Sequence, residues 1–251
     1  KHNCVIFDLD GTLLDTLEDL RDAVNAALAA RGHAPRSIDE VRLFVGNGVM
    51  KLIERAVPEG TPASGIAEIA ADFRRRYDKA INVKTRPYPG ILELLQRLRA
   101  AGVKICVNSN KYDPAVRLLC EAHFSGLYDV AVGESATIPK KPSPAGVEYL
   151  LSAVGAKKSD AVYVGDSSVD FETAKNAEVP FAWVSWGFRR PSEMPASARA
   201  SGDIAFTASP DAHATTTASS GASSSATSSL SAASSGHTSV SDLPLPYSAG
   251  R

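Results

Sequence analysis

The spacing of hydrophobic and polar positions changes along this chain. An uninterrupted apolar run, Val5-Ile6-Phe7, comes first and predicts a short strand that is buried on both faces. Apolar residues at spacings of three and four follow in three stretches, which begin at Leu17, Val49 and Ile66, and each stretch predicts an amphipathic helix. We therefore expect residues 15–87 to form an all-helical insertion.

From residue 88 onward, helical spacing alternates with short apolar runs. The runs predict strands at residues 105–107, 130–132, 162–164 and 181–184, with helices between them. This alternation is typical of an α/β protein whose core is a Rossmann-like parallel sheet flanked by helices. The predicted core comprises residues 1–14 and 88–207, and the insertion at 15–87 is the predicted helical cap.

The C-terminal part of the chain has a different composition. A last possible strand covers Ile204-Ala205-Phe206, and beyond it Ser, Ala, Thr and Gly dominate the sequence. A segment with so few apolar residues cannot offset its conformational entropy by burial. We therefore predict a disordered Ser/Ala/Thr-rich tail at residues 208–251.

Charge and composition limit the classes of partner. The 27 Lys and Arg residues nearly balance the 28 Asp and Glu residues, so no overall field attracts nucleic acid or an anionic membrane. No apolar stretch approaches the roughly 18 residues of a membrane span, and the Cys and His residues lack metal-ligand spacing. We expect a cytoplasmic protein that binds a small molecule, with no nucleic-acid or membrane partner. The sequence does not indicate an oligomeric state.

Two carboxylates directly follow the first predicted strand. Asp8 and Asp10 are two positions apart, so an extended backbone projects them to the same side before Gly11 permits a turn. Two carboxylates this close need a cation or a proton. An ordinary acidic turn after a strand is the alternative, but the position at the carboxyl end of a parallel strand favours a ligand site.

Three later segments carry polar side chains after predicted strands or turns. Ser109 and Asn110 offer a hydroxyl and backbone N–H groups that can hold a phosphate, although they can equally form a turn. Lys141 stands before a proline and can neutralise phosphoryl oxygens, although a lysine pair is often simply solvated. Asp166 and Asp170 add two carboxylates, and oxygen ligands of this kind suit Mg²⁺.

Together these segments resemble the four motifs of the haloacid dehalogenase-like phosphohydrolase superfamily, in their usual order, over about residues 3–206. Within it the chain is most similar to phosphoglycolate phosphatases. The segments that carry this similarity are Asp8 to Asp15, Val45-Gly46-Asn47-Gly48, Ser109-Asn110-Lys111 and Lys140-Lys141-Pro142. Ser109 replaces the usual Thr and keeps the hydroxyl, whereas the C-terminal helix of the family is not recognisable after Phe206.

The resemblance implies roles for the four aspartates. Asp8 is the expected nucleophile, which forms an aspartyl-phosphate, and Asp10 is the expected general acid and base. Mg²⁺ is the expected cofactor, bound by the Asp8 carboxylate, the Asp10 backbone carbonyl and Asp166. Asp170 either holds metal-bound water or ligates directly.

The resemblance also implies the substrate-binding residues. Ser109, the Asn110 backbone and Lys141 are expected to neutralise the phosphoryl oxygens, and Thr12 to stabilise the turn of the first motif. Asn47 lies in an expected specificity loop of the cap, for which a tight turn between helices is the alternative.

The function that these expectations favour is Mg²⁺-dependent hydrolysis of a small phosphorylated metabolite, with 2-phosphoglycolate as the first substrate to test. Two alternatives remain open: a phosphosugar mutase of the β-phosphoglucomutase type and a non-catalytic phosphometabolite-binding protein. Arg42 is either a reader of a substrate carboxylate or a solvated helix residue.

Overall fold

A computed structural model describes residues 2–200 of the protein. The strands are β1 (Cys4–Phe7), β2 (Leu14–Asp15), β3 (Arg86–Pro87), β4 (Lys104–Tyr112), β5 (Val130–Glu134), β6 (Ala161–Gly165) and β7 (Phe181–Trp183). The helices are α1 (Leu17–Ala29), α2 (Ile38–Phe44), α3 (Val49–Ala56), α4 (Ala63–Ala80), α5 (Ile91–Ala100), α6 (Asp113–Phe124), α7 (Ala145–Val154), α8 (Ser168–Asn176) and α9 (Ala196–Ala200). The strand predicted at 204–206 and the tail predicted at 208–251 lie outside the described residues.

The central sheet is parallel and has the strand order β5-β4-β1-β6-β7. Strand β1 is in the middle, and alternate residues point into two separate cores. Val5 and Phe7 pack in one core and Cys4 and Ile6 in the other, because successive strand side chains face opposite sides. The predicted α/β sheet with flanking helices is confirmed.

The inserted cap consists of helices α1 to α4. Helix α1 packs along α4, and α2 and α3 pack beside them. The chain enters and leaves the cap through the antiparallel pair β2 and β3, where Leu14 pairs with Pro87 and Asp15 with Arg86. The cap fold is thus helical apart from this short pair at its base, and the exact domain boundaries at 14/15 and 87/88 stay a prediction.

The return from the cap is held by Asp19 of α1. Its buried carboxylate accepts hydrogen bonds from the backbone N–H groups of Val83, Lys84 and Thr85 and from the Thr85 hydroxyl. A charged carboxylate that accepts several N–H donors is well compensated for its burial. This contact fixes where the second connection rejoins the core.

Helix α2 and the end of strand β4 are among the elements that differ from the sequence prediction. Helix α2 was not predicted, because it is short and Val41 is its one buried residue, so the helical pattern is weak. A capping box between Ser37 and Glu40 marks its start. Strand β4 was predicted at 105–107 but continues to Tyr112, with an irregular register after Asn108. The Ser109-Asn110-Lys111 segment therefore lies in the irregular end of a strand.

None of the helices in the described part of the chain is both long and apolar enough to cross a membrane.

Candidate active site

The aspartates of the first and last motifs meet at the carboxyl edge of the sheet. Strands β1 and β6 are direct neighbours, and Asp8 N–H donates to the carbonyl of Val164 at 2.9 Å. One carboxylate oxygen from each of Asp8, Asp166 and Asp170 lies within 4.8 Å of the others, and all three residues are buried. The sheet order thus brings together acids that are far apart in sequence.

Lys141 lies between two of these carboxylates. Its Nζ is 2.7 Å from Oδ1 of Asp8 and 2.7 Å from Oδ1 of Asp170. The backbone N–H of Lys141 donates to Oδ1 of Asn110 at 2.6 Å, which ties the lysine loop to β4. Burial lowers the pKa of Lys141, but the Asp170 and Asp8 carboxylates outweigh it and raise this pKa well above its ordinary value. The lysine therefore remains an ammonium.

Asp170 is held from both of its oxygens. Oδ1 binds Lys141, and Oδ2 accepts from the Ser167 N–H at 3.0 Å and the Ser167 hydroxyl at 2.6 Å. The reciprocal bond from Asp170 N–H to Ser167 completes a capping box at the start of α8. Asp170 is thus both the partner of the N-cap residue Ser167 and the second carboxylate that binds Lys141.

Burial perturbs the other two carboxyl groups. It raises the pKa of Asp8 well above its ordinary value, with a further increase from the Asp170 charge and a decrease from Lys141. It also raises the pKa of Asp166 to about 7, again with a contribution from Asp170, against a hydrogen bond from the Phe188 N–H. Three carboxylates around one ammonium leave an excess of negative charge that favours protonation or a cation.

The Asp10 carboxylate has other partners than the carboxylates of this cluster. Its Oδ1 accepts from the Thr16 hydroxyl at 2.7 Å and lies 3.1 Å from Nζ of Lys111. Nζ of Lys111 in turn donates to the hydroxyl of Tyr77 at 2.9 Å, and Tyr77 belongs to the cap helix α4. The Asp10 side chain therefore lies where core and cap meet. The metal contact predicted for Asp10 involves its backbone carbonyl and does not depend on this side-chain position.

Ser109 and Asn110 lie beside the cluster at the end of β4. The Ser109 hydroxyl accepts from Lys111 N–H at 3.2 Å, and Nδ2 of Asn110 donates to the carbonyl of Gly46 in the cap at 2.9 Å. Asn110 also binds the backbone of Lys141 on its other side. The Asn110 side chain is therefore a connector between the core loops and the cap.

Close backbone approach explains two glycines near Asp166. A Cβ on Gly11 would lie 2.7 Å from Oδ2 of Asp166, and Gly11 has a φ of +87°. Gly187 would place a Cβ against the Cβ of Asp166. Side chains at either position would push Asp166 out of place, and the left-handed φ of Gly11 adds a second reason for glycine.

The segment after β7 joins the site to the cap. Phe188 N–H donates to Oδ2 of Asp166 at 2.6 Å, and the guanidinium of Arg189 donates to the carbonyls of Arg42 and Val45. Arg42 forms a two-pronged pair with Glu193 at 2.8 and 3.0 Å and also binds the Phe188 carbonyl. Both sequence interpretations of Arg42 are therefore wrong: it neither lines the cleft nor stays solvated, since tertiary packing engages it between cap and core.

The carboxyl edge of the sheet and the cap enclose a cleft of about 660 Å³, including its opening to solvent. The predicted residues that line it are Asp8, Asp10, Ser109, Asn110, Lys141 and Asp166. Thr12 is fully buried in the turn outside the cleft, and its hydroxyl has no partner among the described residues. Gly46 and Gly48 line the cleft, whereas Asn47 between them is half-buried and does not.

Sequence reasoning missed several lining residues, among them Lys111, Tyr77 and Arg189. Lys111 enters the sequence analysis only as part of a motif, Tyr77 only within the helical stretch that begins at Ile66, and Arg189 not at all. A lysine directly after Ser109-Asn110 was the available signal for the first. No local pattern identifies Tyr77 or Arg189, because each reaches the cleft only through the packing of the cap on the core.

Comparison with known proteins identifies the family of the chain. The family model described as haloacid dehalogenase-like hydrolase matches residues 5–184. The phosphoglycolate phosphatase of Rhodobacter capsulatus is 34% identical over 193 residues, which are 74% of this chain and 85% of the relative. That of Caulobacter vibrioides is 37% identical over 188 residues, covering 73% and 79%.

A solved structure gives the same result. A candidate phosphoglycolate phosphatase from Lactobacillus delbrueckii subsp. bulgaricus is 33% identical and has a TM-score of 0.74, covering 77% of this chain and 90% of that one. The chain therefore belongs to the haloacid dehalogenase-like hydrolase family and is a phosphatase within it.

Proposed function

We propose that the chain is a Mg²⁺-dependent phosphomonoesterase that hydrolyses 2-phosphoglycolate through an aspartyl-phosphate on Asp8. The observation that carries the proposal is the buried cluster of Asp8, Asp166 and Asp170 around the Lys141 ammonium. The names of the curated relatives support the choice of substrate. The cytoplasmic location and the lack of a nucleic-acid partner stay predictions.

The cluster suits a divalent cation. No hydrogen bond from the described residues reaches Oδ2 of Asp8 or Oδ1 of Asp166, whereas both oxygens of Asp170 are engaged. An oxygen-only donor set with two available carboxylates is typical of Mg²⁺. Asp8 and Asp166 would hold the ion together with the Asp10 carbonyl, and Asp170 would hold Lys141 and α8. When bound, the ion supplies positive charge that lets an anionic nucleophile meet an anionic phosphate.

The residues around the nucleophile would bind the phosphoryl group. Lys141 provides a fixed ammonium, Ser109 a hydroxyl, and the Asn110 backbone an N–H donor. Oδ1 of Asn110 accepts a 2.6 Å hydrogen bond from Lys141 N–H, which holds the lysine loop next to the other phosphoryl-binding residues. Preorganised donors of this kind stabilise charge that develops during phosphoryl transfer. Thr12 would contribute through the shape of the turn.

The chemistry would proceed in two displacements. In the first, a carboxylate oxygen of Asp8 forms a bond to phosphorus, the bond to the ester oxygen breaks, and Asp10 gives its proton to the departing alkoxide. In the second, Asp10 takes a proton from water, the water oxygen bonds to phosphorus, and the bond to Asp8 breaks. Leu9 N–H and Lys141 hold Oδ1 of Asp8 and so orient the carboxylate for the displacement.

Phosphate release from purified protein tests the proposal. The assay compares 2-phosphoglycolate, β-glucose 1-phosphate and other small phosphate esters, with Mg²⁺ and with a chelator. We expect the highest kcat/KM for 2-phosphoglycolate, full dependence on Mg²⁺, and no release by Asp8→Asn. Conversion of β-glucose 1-phosphate to the 6-phosphate without release would identify a mutase instead.

A further inference from the structure

Lys111 and Tyr77 bring two hydrogen-bond donors together in the wall of the cleft. Lys111 comes from β4 of the core and Tyr77 from α4 of the cap, and both side chains are less than 5% exposed. Nζ of Lys111 lies 2.9 Å from the Tyr77 hydroxyl and 3.1 Å from Oδ1 of Asp10. The pair is therefore on the Asp10 side of the cleft, away from the contacts of Lys141.

The Tyr77 hydroxyl and the Lys111 ammonium each have a hydrogen-bond donor without an acceptor among residues 2–200. The Tyr77 hydroxyl accepts from Lys111 and donates to no atom of residues 2–200. An ammonium has three N–H groups, and two of those of Lys111 are directed at Tyr77 and Asp10. Burial raises the pKa of Tyr77 to about 12, so its hydroxyl keeps its proton. Buried donors without an acceptor cost free energy, which an anionic oxygen would recover.

The other cationic side chains that line the cleft in the described part of the chain already have protein partners. Lys141 binds two carboxylates, and Arg189 donates to the backbone carbonyls of Arg42 and Val45. Apolar residues such as Leu52 and Phe73 also line the cleft, and Phe73 stacks on the Tyr77 ring with 5.4 Å between the ring centroids. An anion on this side of the cleft would therefore find Lys111 and Tyr77 as its partners.

The position of Asp10 relates this pair to the substrate. As general acid, Asp10 would bind the ester oxygen at about 3 Å. Lys111, which contacts Asp10 directly, would then lie beside the alcohol part of the substrate. A carboxylate attached to the ester oxygen through one carbon would fall within hydrogen-bond reach of both donors.

We propose that Lys111 and Tyr77 form the subsite for a carboxylate on the alcohol part of the substrate and so select phosphate esters of small hydroxy acids. This inference rests on the proposed phosphatase function and assigns its specificity to one lysine and one tyrosine. Lys111 provides the charge, and Tyr77 orients it and donates a second hydrogen bond.

The test compares kcat/KM for 2-phosphoglycolate with that for ethyl phosphate, which lacks the carboxylate. Lys111→Met should lower the ratio of the two values about 10- to 100-fold, the effect of losing a charge-assisted hydrogen bond. Tyr77→Phe should lower it in the same direction by less. Lys141→Met is the matched control: it removes a contact to the shared phosphoryl group, so both values should fall and their ratio should stay nearly constant.

A binding measurement separates recognition from turnover. In the Asp8→Asn background, titration calorimetry should show that Lys111→Met weakens binding of 2-phosphoglycolate but not of inorganic phosphate. Melting temperatures check that each variant is folded. Should Lys111→Met fail to fold, Tyr77→Phe carries the test, because it keeps the ring that packs on Phe73.

The outcomes distinguish this inference from the function beneath it. An equal fall for both esters in Lys111→Met would mean that Lys111 acts through Asp10, which overturns the carboxylate subsite. So would a wild-type protein that hydrolyses ethyl phosphate as well as 2-phosphoglycolate, although the phosphatase function would stand. A wild-type protein that hydrolyses neither ester would overturn the proposed function itself.

Discussion

The ammonium of Lys141 lies 2.7 Å from Oδ1 of Asp8, although a turn after β1 carries the aspartate and a loop before α7 carries the lysine. The contact keeps the proposed nucleophile oriented. It also places a positive charge next to the position that a phosphoryl group would occupy. The side chain is buried, so little solvent screens the interaction.

Lys141→Met should therefore weaken turnover of every phosphate ester. We expect a loss of about 1 to 3 kcal/mol in transition-state stabilisation, the range for a charge-assisted hydrogen bond. Steady-state kinetics on three esters of different size check this. Lys140→Met, at the neighbouring exposed lysine, is the control and should keep kcat/KM near that of the wild type. A loss of kcat/KM for one ester only would mean that Lys141 contacts the alcohol part of the substrate and not the shared phosphoryl group.

Asp8→Asn should abolish turnover and leave the fold intact. The amide is nearly isosteric with the carboxylate but cannot act as the nucleophile. Phosphate release and near-ultraviolet circular dichroism measure the two effects. Asp22→Asn, a change on the exposed face of α1, should leave activity in place. Substantial residual activity of Asp8→Asn with an unchanged Mg²⁺ requirement would rule out the covalent route.

Asp10→Asn should lower kcat roughly 10²- to 10⁴-fold, the usual contribution of a general acid and base. An amide accepts the Thr16 and Lys111 hydrogen bonds, so the local structure should persist. Esters with better leaving groups, such as p-nitrophenyl phosphate, should be affected less in the first step because they need no proton. A variant within tenfold of the wild type on alkyl phosphates would mean that another residue transfers the proton.

The raised pKa of Asp166 should make the stability of the metal-free protein depend on pH. Its pKa is raised to about 7 in the folded protein from an ordinary value of 3.8, chiefly by burial. Between these values the folded state holds a proton that the unfolded state has lost. The contribution of this group to metal-free stability therefore falls as pH rises from about 4 to 7.

The Asp166→Asn variant and Mg²⁺ test that coupling. Without metal at pH 8, the variant should melt higher than the wild type, by about 2–4 °C for each kcal/mol recovered. At pH 4 the two should melt nearly alike. Mg²⁺ at pH 8 should raise the melting temperature of the wild type only. Equal stabilisation of both proteins by Mg²⁺ would exclude Asp166 as a ligand.

Asn47→Ala tests the predicted specificity loop. The Gly46 carbonyl accepts a hydrogen bond from Asn110, and Gly48 is the N-cap residue of α3 with a φ of +82°. Both glycines line the cleft. The prediction is that Asn47→Ala changes discrimination among esters. Relative kcat/KM over a panel of phosphate esters measures it. An equal loss of kcat/KM for all esters would mean that residues 46–48 form a turn between helices and do not determine specificity.

The core and its acidic motifs were predictable because their signals are local. An apolar run followed by Asp8 and Asp10, and another followed by Asp166, identify strands and the edge at which they end. The irregular end of β4 was not predictable in this way. There the carbonyl of Lys111 passes against Gly133 of β5, where a Cβ would collide with it. That constraint comes from a neighbouring strand.

The sequence by itself determined the parallel core, the helical insertion and the chemical types at the carboxyl edge of the sheet, because periodicity and turn residues act over a few positions. Only the tertiary structure decided that Asp170 anchors Lys141, that Arg42 and Arg189 join cap to core, and that Lys111 meets Tyr77. These contacts depend on how the core loops and helices, and the cap, pack around the sheet. Packing of that kind sums many weak, non-local interactions, and no short stretch of sequence encodes it.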